Sequence, residues 1–301
     1  MYWALHDDTY DMQYLSICAD ILSKAKSEEN LVDDRTGVGC YSDFARYIKH
    51  DLRNGFPLLL CKFTSFKAMA TEMLAFSRGV TNNNWLVERG CNIWTPWARE
   101  DGELGPIYGS QLRNFNGQGF DQLKFVVDTL KTNPSSRRIQ FTYYNPLVLP
   151  DESLDHNTNI NNGKAVLPPC HVLYNFNVEE INGEKYLNGS LTQRSADIPL
   201  GAPFNTAQLA LWVHVLAHHT GLKVGNINHL MIDAHIYSNQ VETMSKCIKD
   251  VYKEPAKIFE GSYPELIIHA DKDLPIDEYE IDNFEILNYN PMGKYKFDIS
   301  V

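Results

Sequence analysis

The segment from Asn205 to Gly221 does most to limit what this chain can become. Leu209, Trp212, Val213 and Leu216 recur at helical spacing, and Gly221 supplies a stop. The apolar residues are not confined to one stripe, so a helix here needs cover on several sides and belongs in the middle of the fold. The preceding residues can provide that cover. From Cys170 to Val178 an alternating pattern puts Val172, Tyr174, Phe176 and Val178 on one face. Asn182-Gly183 then reads as a hairpin turn into a second run, Lys185 to Ser195. An antiparallel hairpin leading into a buried helix is the nucleus of a layered fold.

Further helices are expected from Tyr14 to Ala25, from about Ser65 to Ser77, and from about Asp121 to Lys131, where Asn133-Pro134 ends the last. Arg138 to Tyr144 is β-favouring, and the polar stretch from Leu149 to Lys164 reads as a long surface loop. Helices followed by mainly antiparallel strands argue for an α+β class over a regular βαβ alternation, and the absence of repeats or low-complexity breaks favours a single domain over 1–301. No glycine-rich dinucleotide or P-loop fingerprint is present. A net charge of −11 speaks against a nucleic-acid polymer as partner, since phosphate-backbone affinity requires clustered cations. No apolar run reaches membrane-spanning length, and the opening MYWALHDDTYDM lacks a basic-then-apolar leader, so a cytoplasmic protein without membrane association is expected. Six scattered cysteines with no C-x-x-C pair suggest reduced thiols and no metal site.

Four short stretches carry chemistry beyond structural need. In Leu167-Pro168-Pro169-Cys170-His171 a cysteine follows two prolines at a strand start. It can be a small buried hydrophobe, or a nucleophile held by a rigid approach and activated by nearby cations. The run Gln193 to Asn205, with Arg194, Ser195, Asp197 and Gly201, places ionic groups between a strand end and a helix start, where an anion is favoured. Asp233, His235 and Tyr237 share one face of an extended segment, an arrangement suited to a polar ligand. Arg137 and Arg138 are neighbouring guanidiniums suited to a phosphate, or a solvated face.

Together with D-R-T-G at Asp34–Gly37, G-F-P-L at Gly55–Leu58, Glu72, R-G-x-T-N at Arg78–Asn82, N-I-W at Asn92–Trp94 and L-G-P-I-Y-G-x-Q at Leu104–Gln111, these stretches resemble the thymidylate synthase family. The resemblance covers nearly the whole chain. It implies a layered fold with a mainly antiparallel or mixed sheet and a buried central helix, two such sheets packing across a homodimer interface. It also implies methylation of dUMP at C5 with 5,10-methylenetetrahydrofolate as co-substrate and no metal. By resemblance, Cys170 is the nucleophile that adds to C6, and Arg194 lies beside it and lowers its pKa. Arg35, Arg194 and Ser195 hold the phosphate with Arg137 and Arg138, the last two donated across the dimer interface. Asn205 reads the uracil edge and points to dUMP over dCMP, while His235 and Tyr237 meet the sugar. Glu72, Tyr108 and His171 match a proton-moving network, and Asp197 matches the pterin-binding carboxylate. Trp94, Leu167, Gly201 and Val301 match the folate side, with Trp94 and the tail Pro291–Val301 closing over it.

A dry, closed site favours hydride transfer and a methyl product over water addition. Thr95-Pro96, Ala75, Leu112, Pro199 and Met231-Ile232 depart from the family pattern, mostly on the folate side. The alternative is therefore a dUMP 5-hydroxymethylase on the same scaffold, as in some bacteriophages with modified DNA.

Overall fold

The structure, a computed structural model, describes residues 9–259 and 261–300. In chain order its elements are α1 (Tyr10–Lys24), β1 (Cys40–Asp51), α2 (Phe66–Ser77), α3 (Asn83–Val87), α4 (Tyr108–Arg113), α5 (Gln122–Thr132), β2 (Gln140–Thr142), α6 (His156–Asn161), β3 (His171–Ile181), β4 (Glu184–Asp197), α7 (Gly201–Thr220), β5 (Lys223–Tyr237), α8 (Val241–Lys253), α9 (Ala256–Phe259), β6 (Glu265–Ile268) and β7 (Phe284–Leu287). Five strands make one sheet in the order β1-β5-β4-β3-β2, and β6 pairs with β7 apart from it. Every pairing is antiparallel except β4 with β5, which run parallel because α7 carries the chain across between them. The class is thus mixed α+β, with one embedded βαβ unit.

The hairpin forms where its turn residues place it. Ile181 faces Glu184 across a two-residue loop whose Asn182 and Gly183 both take positive φ, 53° and 80°. Two such residues make the turn whose twist matches that of the strands.

Helix α7 is central. Leu209, Leu211, Trp212, Val213, Val215 and Leu216 are fully buried, each contributing roughly 1.5–3 kcal/mol of burial. Gly189 of β4 lets the helix approach, since a Cβ there would run into the Val213 methyl. The helix opens at Gly201, four residues ahead of Asn205, and Leu200 is its N-cap. Pro203 fits that first turn because its missing N–H is one the turn cannot use. Gly221, at φ 72°, closes the other end and donates its N–H to Ala217 O. A second cluster joins Tyr10, Tyr14 and Ile21 of α1 to Ala234 and Ile236 of β5 and to Met244 and Cys247 of α8.

Three expectations change. The β-favouring run at 138–144 yields only the three-residue β2. The 149–164 stretch is not a structureless loop: it contains α6, whose N-cap Asp155 accepts from the Thr158 N–H at 3.0 Å. Strand β1 and helix α8 occupy stretches where the sequence reading sets out no element.

Candidate functional site

The parallel pair concentrates the polar residues. Ser195 lies opposite Asp233 and Asp197 opposite His235, at the C-terminal ends of β4 and β5, with the start of α7 beside them. Strand β3 runs the other way, so its first residues come to the same end of the sheet: His171 faces Gln193, and Cys170 O accepts from the Arg194 N–H at 3.0 Å.

Cys170 is half-buried, and its thiol lies 3.8 Å from Arg194 Nη2. The guanidinium is itself tied down, with Nε donating to Pro169 O at 3.0 Å and Nη2 to Pro168 O at 2.8 Å. The two prolines thereby present carbonyls that clamp the cation against the cysteine following them. Burial raises the thiol pKa, while Arg194 and then Arg35 pull it back. Arg194 therefore acts to lower the thiol pKa, while desolvation outweighs it and leaves the net shift upward in the single chain. Arg35 is exposed, in the turn after Asp34.

Tyr108 is held by stacking on Phe76, with centroids 4.7 Å apart and planes 7° apart, and by edge contacts with Trp94, Tyr143 and His171. Its hydroxyl oxygen accepts from the Cys170 N–H at 2.8 Å, which leaves its own proton for another acceptor. Glu72, on the buried face of α2, accepts from Trp94 Nε1 at 2.8 Å and from Gln208 Nε2 at 2.9 Å. Burial lifts this carboxyl to about 7 against those two donors. Trp94 is therefore fixed to the acid as well as buried.

His171 sits at a β-bulge, where the β3–β4 register slips between His171 and Leu173. The slip breaks the alternation through Val172 and turns His171 and Tyr174 to a common interior, where Tyr174 Oη and His171 Nδ1 are 3.0 Å apart. Burial lowers His171 to about 4, so the ring is neutral at pH 7. Asn205 Nδ2 donates to Gln193 Oε1 at 3.0 Å, and the buried His229 reaches the same oxygen at 2.7 Å.

Asp197 accepts from the Leu200 N–H at 3.1 Å and from Gln240 Nε2 at 3.0 Å; burial raises its pKa. Gln240 also donates to Asp298 O at 3.2 Å, so the C-terminal segment docks beside this carboxylate. Gly201 lies between Asp197 and Asn205 with room for a Cβ. The His235 and Tyr237 rings meet edge to face at 5.0 Å, and Tyr237 is near enough to both Asp197 and Cys170 for their charges to raise its pKa, after burial. Ser195 and Leu167 are half-buried, Leu167 against the main core.

Arg137 and Arg138 do not join this cluster. Both are exposed, and Ile139 O accepts from the Phe176 N–H, which puts the pair alongside the far part of β3. At about 3.3 Å per strand residue that is roughly 20 Å from Cys170, beyond the reach of an arginine of the same chain. Val301 lies outside the described residues. Gln193, Tyr174, Gln208 and His229 were not singled out as site residues; their signal in the sequence is polar side chains at interior positions of strands and of an apolar helix.

At one end of the mixed sheet the fold thus gathers a clamped cysteine, a buried acid and the polar side chains of two strand ends. The profile of the family described as thymidylate synthase matches residues 12–301. The chain is 39% identical to the thymidylate synthase of Pseudomonas fluorescens over 96% of its own length and 99% of the relative's. It is 40% identical to that of Francisella tularensis subsp. holarctica over 94% and 98%, and 40% identical to that of Francisella philomiragia over 89% and 93%. The chain belongs to the thymidylate synthase family.

Proposed function

We propose that this enzyme carries out the reductive methylation of dUMP to dTMP, with Cys170 as covalent nucleophile. One observation carries the reading: the Cys170 thiol lies 3.8 Å from a guanidinium that two proline carbonyls hold in place. C5 of uracil is a poor nucleophile, and thiolate addition at C6 turns the ring into an enolate that can react there. Substrate phosphate, bound by Arg35, Arg194 and Ser195, brings its ring to the thiol; Asn205 offers an amide to the N3–O4 edge, and His235 and Tyr237 take the sugar. Glu72, near neutrality, and the Tyr108 hydroxyl serve the proton transfers at C5 and O4.

The folate side fits the residues present. Asp197 is a half-buried carboxylate that can accept a pterin N–H, with Gly201 beside it, and Leu167 and Trp94 are the further folate contacts that the resemblance implies. When bound, 5,10-methylenetetrahydrofolate supplies both the one-carbon unit and the reducing equivalent. The docked tail and Trp94 exclude water, the condition for a methyl product. Arg137 and Arg138 cannot reach their own chain's Cys170, which supports a homodimer whose partner supplies them, the five-stranded sheets packing face to face. The polar cluster and its two anionic ligands belong to a single domain over 1–301.

Mass spectrometry after incubation with 5-fluoro-dUMP and the folate tests the nucleophile. A stable adduct on the Cys170 peptide is expected, and Cys170→Ala loses both adduct and turnover while still binding nucleotide. An adduct elsewhere, or appreciable turnover by Cys170→Ala, contradicts the assignment.

A further inference from the structure

Helix α7 carries two side-chain amides three residues apart, on one face. Asn205 meets Gln193 at the sheet end, while Gln208, one turn further in, is only 1% exposed. The Gln208 amide is satisfied at both ends. Its Nε2 donates to Glu72 Oε2 at 2.9 Å, and its Oε1 accepts from the Tyr174 hydroxyl at 3.4 Å, whose oxygen is left to accept from His171 Nδ1 at 3.0 Å. Trp94 Nε1 donates to the other carboxylate oxygen, Glu72 Oε1, at 2.8 Å. Each oxygen of the acid thus has one donor, Gln208 from α7 and Trp94 from the segment between α3 and α4.

The orientation of the amide follows from its neighbours. An ionised carboxylate only accepts, so Gln208 turns its NH₂ there, and the Tyr174 proton meets the oxygen that remains. A flipped amide would set its own oxygen against the carboxylate. The other titratable groups around Glu72 are Tyr108 of α4, Tyr143 just after β2, Tyr174 of β3 and Cys91 after α3, each near enough for the acid's charge to raise its pKa. Burial keeps all four protonated. Among the described residues, the ionised acid therefore depends on two N–H donors and on no cation.

We propose that Gln208 is a positioning residue for the reaction: its amide, oriented by Tyr174, holds Glu72 Oε2 and, with Trp94 on Oε1, fixes the carboxyl in one place and orientation. Gln208 acts through Glu72. A donor to a buried carboxylate favours the ionised form, so losing it makes the acid keep its proton to higher pH. The consequence for turnover rests on the proposed uracil chemistry; the hold on the acid does not.

The test uses full-length protein and Gln208→Met, which keeps the length of the side chain and removes both polar ends. With ¹³C-labelled glutamate carboxyls, and the Glu72 resonance identified by its loss in Glu72→Gln, the wild-type acid is expected to titrate near pH 7 by NMR. In Gln208→Met the midpoint is expected about one pH unit or more higher. With dUMP and folate, the limb of the kcat–pH profile that belongs to Glu72 moves up by the same amount, while KM for dUMP stays within about twofold. A merely structural contact would lower activity evenly across pH. An unmoved midpoint in folded Gln208→Met, or a moved midpoint with an unmoved limb, overturns the inference. If Gln208→Met does not fold, the wild type still decides: the Gln208 side-chain NH₂ resonance is expected to shift as Glu72 titrates, and one that stays constant overturns the inference. Wild type that forms no adduct with 5-fluoro-dUMP overturns the proposed function instead, since the titration needs no substrate.

Discussion

Glu72 shows how burial sets chemistry at the residue scale. Its carboxyl sits at about 7 against an ordinary 4.5, because desolvation outweighs the donors from Trp94 and Gln208. Between those pH values the folded chain holds a proton that the unfolded chain releases, so this residue's contribution to stability is complete below about 4.5 and is lost as pH rises through 7. Glu72→Gln is accordingly expected to gain on the wild type by about 2–3 kcal/mol between pH 5 and pH 8 in urea unfolding, and to lose at least about a hundredfold in kcat. A stability difference flat with pH contradicts a raised carboxyl. Some candidate residues were readable in the sequence because their types are expensive where they occur, a cysteine after two prolines and three polar side chains on one strand face, whereas Glu72 came only with the family resemblance. The buried supporting residues Gln193, Tyr174, Gln208 and His229 were less readable, since a lone glutamine or tyrosine within an apolar pattern does not reveal which way it faces. The raised Cys170 thiol was not readable at all, because it depends on the balance between burial and two guanidiniums.

At the scale of elements, the hairpin and α7 were legible because their signals are local: alternation, an Asn-Gly turn and a terminal glycine. Strand β1 was hidden. Cys40 to Asp51 mixes charged and apolar residues on both faces, and Ala45, at φ 55°, interrupts its period. It is a strand because β5 pairs with it along its length, a tertiary cause that no window of sequence contains. The bulge at His171 is another such case, since a slip of register depends on the partner strand. The close approach of α7 to β4 gives a prediction at this scale. Gly189→Ala places a methyl against Val213 and displaces the helix, at an expected cost of about 1–3 kcal/mol in urea unfolding. No loss would mean that α7 does not lie against Gly189.

For the whole molecule, Arg137 and Arg138 lie some 20 Å from their own Cys170, so the proposed function needs them from a second chain. Cys170→Ala and the Arg137→Ala, Arg138→Ala double variant are each expected to be inactive alone. Unfolded together and refolded as a mixture, they should recover about a quarter of wild-type activity, because half the dimers are mixed and each holds one intact site. No recovery contradicts the sharing. A net charge of −11 speaks against a nucleic-acid polymer, and the proposed function is compatible with it because a small anion needs only a few placed guanidiniums in an otherwise acidic molecule. The most direct test of the central claim is the identity of both products after incubation with dUMP and 5,10-methylenetetrahydrofolate. The account predicts dTMP and dihydrofolate in equal amounts; hydroxymethyl-dUMP with tetrahydrofolate, or no turnover, would contradict it.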